Sequence, residues 1–537
     1  MTTERAAGRA GIAGAGIAGA AAVVLAGGVG EVVAGLIGGG GPVTSVGGWL
    51  IDLAPPWAKD TAIALFGTAD KIVLVVAICL VIAALGAACG VLEVRRPPWG
   101  AAIVAVFGIV GGVIATTRSD AVVGAWLPSV AAGIAGALAL WWLARMVRGM
   151  AAAGAAAPQP SVTPAVDSAG TRAPQPLSAA PGRADRRTFL MWSGATVVVG
   201  VLAAVGGTAL RAGRAAATAI RDVVLPRPAV SAAPVPAGSE LDIPGLAPVI
   251  TPNDSFYRID TALIVPSVTP AEWSIRVHGL VEETVTLTWD ELLALPLEES
   301  HTTLACVSNE VGGTLIGNAL WLGYPIRELL ARARPTAEAD MVLSRSVDGF
   351  TASTPLEALT DDRAAILAIG MNGEPLPQEH GFPVRMVVPG LYGYVSATKW
   401  VVDLEVTRFD RARAYWTDRG WSEFGPIKLQ SRIDVPRDGQ NVAAGETVIA
   451  GVAWQQHVGV AGVEVQIDDG AWQQATVAAA ISDDTWVQWS LPWTATAGRH
   501  LLRCRATSAT GDVQTSAVAP VVPDGATGWH ERNVTVS

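Results

Sequence analysis

Five runs free of charged side chains constrain this chain more than any other feature: Ala10–Gly30, Ile72–Leu92, Pro97–Thr117, Ala121–Ala144 and Thr188–Leu210. About 20 apolar residues span the hydrocarbon of a bilayer, where only a helix or a closed barrel satisfies the backbone. The runs therefore predict an all-α transmembrane bundle of about four helices over residues 1–150, with a fifth span at 188–210. The first run is nearly all Ala and Gly, and the fifth also suits a signal segment. Glu31 lies between apolar stretches and is read as a segment boundary, the other reading being an intramembrane carboxylate. The runs also explain why 51% of the 537 residues are hydrophobic and only 16% charged.

The Lys/Arg bias sets orientation. Arg5 and Arg9 precede the first run, Arg95 and Arg96 follow the second, and Arg145, Arg148, Arg183, Arg186 and Arg187 separate the fourth from the fifth. With these regions cytoplasmic, the N-terminus is inside and everything beyond residue 210 is extracytoplasmic. Arg211 and Arg214 weigh on the other side. Arg186-Arg187-Thr188-Phe189-Leu190 resembles the twin-arginine export signal, and also fits a plain inside anchor. Residues 151–187 and 211–243, rich in Ala and Pro, read as linkers. All six histidines lie at or beyond His278, so the membrane half has none for a b-type haem. No Cys-x-x-Cys-His is present for a c-type haem, and no haem is expected. The net charge of −10 argues against a nucleic-acid partner. A transporter is disfavoured by the scarcity of ionisable residues in the spans.

Beyond residue 240 the composition becomes that of an ordinary globular protein. Thr288-Trp-Asp-Glu291 is a capping box and predicts a short helix. Pro325 predicts another through about Arg334, stopped by Pro335. Strand-like runs at Trp273–Val277, Met341–Leu343, Val384–Val388 and Trp400–Val406 alternate irregularly with helices, which reads as α+β. From about Trp421 the pattern turns all-β. Val463, Val465 and Ile467 alternate before an Asp469-Gly470 turn, and Trp486–Trp493 and Leu501–Ala506 follow, as in an immunoglobulin-like sandwich.

His301–Gly313, HTTLACVSNEVGG, carries one of only four cysteines. A thiol at a strand end before a polar turn suits a transition metal, and equally suits a small buried hydrophobe. A disulfide to Cys504 is a further option. Four other stretches combine turns with cationic and hydroxyl side chains: Thr251–Arg258, Asp348–Pro355, Met371–Arg385 and Pro389–Trp400. Arg258, His380, Arg385 and Lys399 among them suit an anionic, phosphate-bearing ligand.

Taken in order, LACVSN, NGEPLPQEHGFPVR and the run PGLYGYVSATKW resemble the sulfite oxidase family of molybdenum enzymes, from about Pro244 to Phe409. The resemblance implies a molybdopterin-binding oxidoreductase domain over 244–410 and a dimerisation-type sandwich over 411–537, with a homodimer as its consequence. It implies molybdopterin with molybdenum, Cys306 as the metal's protein ligand, and Asn253, Tyr257, Arg258, Thr351, His380, Arg385, Ser396, Thr398 and Lys399 around the cofactor. Asn309 and Glu310 are candidates for facing the substrate, or for fixing a turn through side-chain to backbone bonds. The chain departs from the family where an Arg-rich run follows the Cys, replaced by Asn309, Glu310 and Val311, and where a Tyr is replaced by Phe350. A carboxylate in place of Arg disfavours sulfite, leaving a small molecule or an oxidised protein as substrate. The other class of function weighed is a non-catalytic surface binding protein on the same fold.

Overall fold

The computed structural model describes residues 2–37, 39–53, 61, 70–118, 121–155, 186–214, 220, 223–262 and 265–537. The chain divides into two compact units, Met1–Arg214 and Ala215–Ser537.

The first unit is helical: α1 Thr2–Ile37, α2 Pro42–Leu53, α3 Asp70–Arg95, α4 Trp99–Thr116, α5 Leu127–Ala155 and α6 Arg186–Arg214. Five of the helices are long and apolar enough to cross a membrane, at Ile12–Ile37, Val73–Arg95, Trp99–Thr116, Leu127–Met150 and Arg186–Thr208. α1 packs against α3, α5 and α6. Its contacts are backbone to backbone: a Cβ on Gly28 would strike the Gly200 carbonyl, and one on Gly19 the Gly86 carbonyl. Small residues permit such approach where lipid gives no hydrophobic drive to association. Glu31 corrects an expectation: it is no boundary, because α1 runs through it and buries it. Glu93 is also fully buried. One carboxylate oxygen accepts the Ala101 N–H at 3.0 Å, and Arg148 donates to the Glu93 carbonyl at 2.7 Å, so α3, α4 and α5 are clasped at one point. Most of the expected 151–187 linker lies outside the described residues.

The second unit holds four sheets. One runs β3-β4-β7-β8, with β9 also on β7: β3 Glu298–Ala305, β4 Ile316–Pro325, β7 Ile366–Met371, β8 Glu374–Pro375 and β9 Arg385–Val387. A second runs β2-β1-β10-β5-β6: β1 Ser274–Gly279, β2 Val285–Thr288, β5 Met341–Ser346, β6 Thr351–Pro355 and β10 Val401–Thr407. Its β1 and β10 are parallel, Arg276 opposite Asp403, and its other pairs antiparallel. Short helices join them. α7, Trp289–Leu293, starts on the expected capping box: the Thr288 hydroxyl accepts the Glu291 N–H, and the Glu291 carboxylate accepts the Thr288 N–H at 2.8 Å. α8, Ile326–Ala333, follows Pro325 and buries Ile326, Leu329, Leu330 and Ala333, one face at helical spacing. α9 is Glu357–Thr360 and α10 Gly393–Ser396. This is the α+β arrangement expected.

The remaining strands form two sheets over one core. β11 Gln430–Val435, β13 Gly445–Trp454, β16 Thr476–Val477 and β17 Val487–Ala495 make one. β12 Asn441–Val442, β14 Val460–Ile467, β15 Gln473–Gln474, β18 Gly498–Ser508 and β19 His530–Val536 make the other. Ile433, Ile449 and Trp489 from the first meet Val463, Val465, Leu502 and Val534 from the second. The turn after β14 takes its left-handed residue at Asp468, one position before the expected Asp469-Gly470 pair. All four cysteines are unpaired. Cys504 lies in the core between the two sheets and accepts from the Ser431 hydroxyl at 3.2 Å, so the Cys306–Cys504 bridge is absent.

Among its described residues, the Pro-rich stretch over 223–243 has no helix and no strand beyond an isolated bridge at Val230, and it is fastened down. Ala229 N–H donates to the Leu297 carbonyl, and Leu241 N–H to the Gln488 side chain at 2.6 Å. Ser239 is fully buried.

Candidate cofactor and active site

Cys306 directly follows β3. Its N–H donates to the Leu315 carbonyl at 2.9 Å, closing a loop whose two ends rejoin β3 and β4. Inside the loop, the Asn309 N–H donates to the Cys306 carbonyl at 3.1 Å, and the Asn309 side-chain oxygen accepts the Leu315 N–H at 2.8 Å. Gly312 takes a φ of 77°, which favours glycine. The Cys306 side chain is buried. Burial pushes the thiol's pKa up, while the Ser308 N–H and hydroxyl and the charge of Lys399 pull it back. A buried thiol that resists losing its proton to water still gives it up to a metal ion.

Within electrostatic reach of Cys306 is Lys399, which in turn feels Arg385, two members of a cluster of buried cations. Arg385, on β9, is 4% exposed. Its guanidinium donates to the carbonyls of Met386 at 3.3 Å, His380 at 3.2 Å and Ala397 at 3.5 Å, and lies 5.2 Å from the Trp321 ring centre. Among the described residues, no carboxylate bonds it. Burial draws its pKa down to about 10. Lys399 is likewise buried, donating to the Glu379 carbonyl at 2.9 Å and to Asp260 at 3.2 Å. Burial brings its pKa down to about 8, with Asp260 opposing. His380 meets the Asn253 carbonyl through Nε2 at 3.1 Å, while its buried Nδ1 has no partner among the described residues. Burial first, then Arg385 and Lys399, hold its pKa at about 4, so the ring is neutral.

The Thr251–Arg258 turn meets this cluster at His380. Asn253 accepts from the Asn372 amide at 2.8 Å and donates to the Met371 carbonyl at 3.3 Å. Phe256 packs edge-on to His380 and Trp321. Tyr257 is raised in pKa by burial and then by Cys306, with Arg385 opposing, which puts all three within electrostatic reach. Arg258 pairs with Asp260 at 2.9 Å. Asn253, Tyr257, Arg258, Cys306, His380, Arg385 and Lys399 therefore converge from four separate stretches of chain.

Other candidates stand apart from that convergence. Ser396 is fully buried and donates to the Leu391 and Tyr392 carbonyls. Thr398 is fully buried against the Ser344 hydroxyl at 2.7 Å. The Thr351 hydroxyl accepts the Tyr415 N–H at 3.0 Å, and Phe350 packs on the Tyr415 ring. Asn309 is spent on its own turn, whereas Glu310 is exposed.

Sequence reasoning passed over four residues here. Asp260 holds both Arg258 and Lys399. Ser308 donates to the thiol. Tyr392, its pKa pushed up to about 12 by burial, lies within electrostatic reach of Cys306. Asn372 bridges Thr251, Asn253 and Leu320 from a φ of 52°. Only Asn372 had a readable signal, the Asn-Gly dipeptide that marks a turn.

The family described as oxidoreductase molybdopterin binding domain matches residues 262–416. Human mitochondrial sulfite oxidase is 31% identical over 342 residues, covering 54% of this chain and 62% of that protein. The uncharacterized oxidoreductase YuiH of Bacillus subtilis (strain 168) is 32% identical over 150 residues, 28% of this chain and 72% of that protein. The solved sulfane dehydrogenase SoxCD from Paracoccus pantotrophus aligns at 25% identity and a TM-score of 0.45, covering 50% of this chain and 76% of that one. The chain thus spans less than two thirds of the length of the curated sulfite oxidases it matches.

Proposed function

The chain belongs to the sulfite oxidase family of molybdopterin-dependent oxidoreductases, and on that premise we propose a membrane-anchored, extracytoplasmic enzyme whose molybdenum is ligated by Cys306. One observation carries the cofactor assignment. Among the described residues, Arg385 is a buried cation bonded only to main-chain carbonyls, with Lys399 and the unpartnered Nδ1 of His380 beside it. A buried charge of this kind is costly unless an anion completes it. The donor set fits the pterin and its phosphate: Arg385, Lys399 and Arg258 supply charge, His380 and Asn253 supply direction. Ser396 and Thr398, with their hydroxyls committed elsewhere, shape the phosphate end through their backbone. Thr351 lines the wall through its strand.

When bound, the cofactor supplies oxygen-atom or two-electron transfer. The chain's own part is to seat it, to present the Cys306 sulfur, and to shield both from water. Glu310, exposed on the loop after Cys306, repels an oxyanion, so the substrate is a small molecule or an oxidised protein other than sulfite. Electrons pass to or from a separate redox partner. The Lys/Arg bias puts the N-terminus in the cytoplasm and the enzymatic unit outside. In this reading 244–410 is the molybdopterin domain, and 411–537 is an immunoglobulin-like sandwich through which the chain dimerises.

The test is molybdenum and pterin content of the full chain, purified in detergent from a host that makes the cofactor. About one molybdenum per chain is expected, with loss in Arg385→Ala and Lys399→Gln. A folded protein repeatedly free of both metal and pterin would leave a non-catalytic binding protein as the reading.

A further inference from the structure

The loop that follows Cys306 is held from outside its own sheet. Arg432, on β11, donates to the Gly313 carbonyl at 2.8 Å while its Nε donates to Asp434 at 2.6 Å. Asp434 in turn accepts the Ala247 N–H at 3.1 Å, so the guanidinium is fixed before it reaches the loop. His530, the first residue of β19, lies against Gly312: a Cβ there would strike the imidazole. Its Nδ1 accepts the Ile433 N–H at 2.8 Å, which leaves the proton on Nε2 and locks the ring. Arg432 and His530 are both buried. Loops that flank β13 and β17 also bolt β3 just ahead of the thiol. The Thr303 hydroxyl accepts the Trp486 N–H at 2.9 Å, the Thr303 N–H donates to the Asp484 carbonyl at 3.0 Å, and the Gln456 amide donates to the Thr303 carbonyl at 3.0 Å.

We propose that Arg432 and His530 are positioning residues that set the Ser308–Gly313 loop, and with it Asn309 and Glu310, at the mouth of the Cys306 site. The inference rests on the reading of Cys306 as the metal-bearing position and adds a task to the β11–β19 sheets beyond any role in pairing chains. Neither residue reaches the thiol; both act through the loop. Beyond its own internal bonds the loop is short and polar, and it carries two glycines. Its contacts with Arg432 and His530 therefore decide which way Glu310 faces.

The experiment is hydrogen exchange on the full chain in detergent, with molybdenum content and steady-state kinetics measured on the same samples. In Arg432→Met, amides 309–313 should exchange about tenfold faster, with β13 and β17 unchanged. Arg432→Lys should recover most of the protection. Molybdenum content should stay at the wild-type level, and KM should rise more than kcat falls. If Arg432→Met loosens the sheets themselves, Gly312→Ala decides, since it displaces the loop from His530 and leaves Arg432 intact. Loop exchange unchanged in both variants overturns the proposal. Wild-type protein without molybdenum would defeat the cofactor assignment instead, and would leave the exchange result standing.

Discussion

The two units of this chain solve the packing problem in opposite ways. In Met1–Arg214 the closest contacts are made by what is missing: glycines at 19, 28, 86 and 200 let helix backbones touch. In Ala215–Ser537 the interior is filled by bulk, with Trp321, Trp400, Trp454 and Trp489 almost wholly buried. Polar contacts differ in kind as well. The helical unit ties three helices at the single residue Glu93, through its carboxylate and its main-chain carbonyl, whereas the second unit spreads its bonds over a network that ends at Cys306. The first design gives a scaffold with few side chains to spare for chemistry. The second can hold cations without water because so many of its donors and acceptors are already committed.

That contrast can be broken by mutation. The largest effect belongs to Cys306→Ser, which should reduce turnover to background while circular dichroism and the melting temperature stay near wild type; a molybdenum-loaded variant that still turns over removes Cys306 from its role. Next, Trp321→Ala should cost the second unit about 3–5 kcal/mol by leaving a cavity, and its unfolding transition should move without that of the helical unit. Acid should separate the units again. The ordinary histidine pKa of 6.5 falls to about 4 for His380 in the fold, so the unfolded chain takes up protons that the fold refuses. Stability of the second unit is then full above pH 6.5 and declines toward pH 4. The helical unit has no histidine, and should be flat through the same window in a denaturation series. Gly28→Leu reverses the Trp321 experiment: overpacking of about 1–3 kcal/mol should loosen the bundle in detergent and leave the second unit's melting alone. If either variant shifts both transitions equally, the units do not behave as two packing designs. Smallest of all, Thr288→Ala should cost about 1 kcal/mol, the worth of one helix cap.

Legibility in the sequence followed the range of the forces involved. The capping box at Thr288, the helix after Pro325 and the strand before Cys306 depend on neighbours a few residues away, and the structure has them where expected. Apolar runs gave the five long helices for the same reason. Glu31 was misjudged because a charge looks like punctuation in one dimension; in the bundle it is packed against the Gly41 and Gly207 backbones. The convergence of Arg258, His380, Arg385 and Lys399 was visible only as motif resemblance, since no local rule joins residues so far apart. Asp260 carried no motif, and its place in the site comes from the two cations it meets far along the chain or beside it. Ser396 and Thr398 share their run with Lys399, yet their hydroxyls turn to Leu391, Tyr392 and Ser344, which composition alone does not reveal.

The bonds that fasten the start of the second unit to its end bear on how it is made. Leu241 finds Gln488, and the Trp486 indole donates to the Val249 carbonyl, so these residues wait for partners made 247 and 237 positions later. Such non-local closure is slow, because loop entropy is lost before any contact repays it. A ribosome must release Trp486 before the wall around Cys306 can shut. Any step that inserts a cofactor or moves this unit across a membrane in folded form has to come after that point.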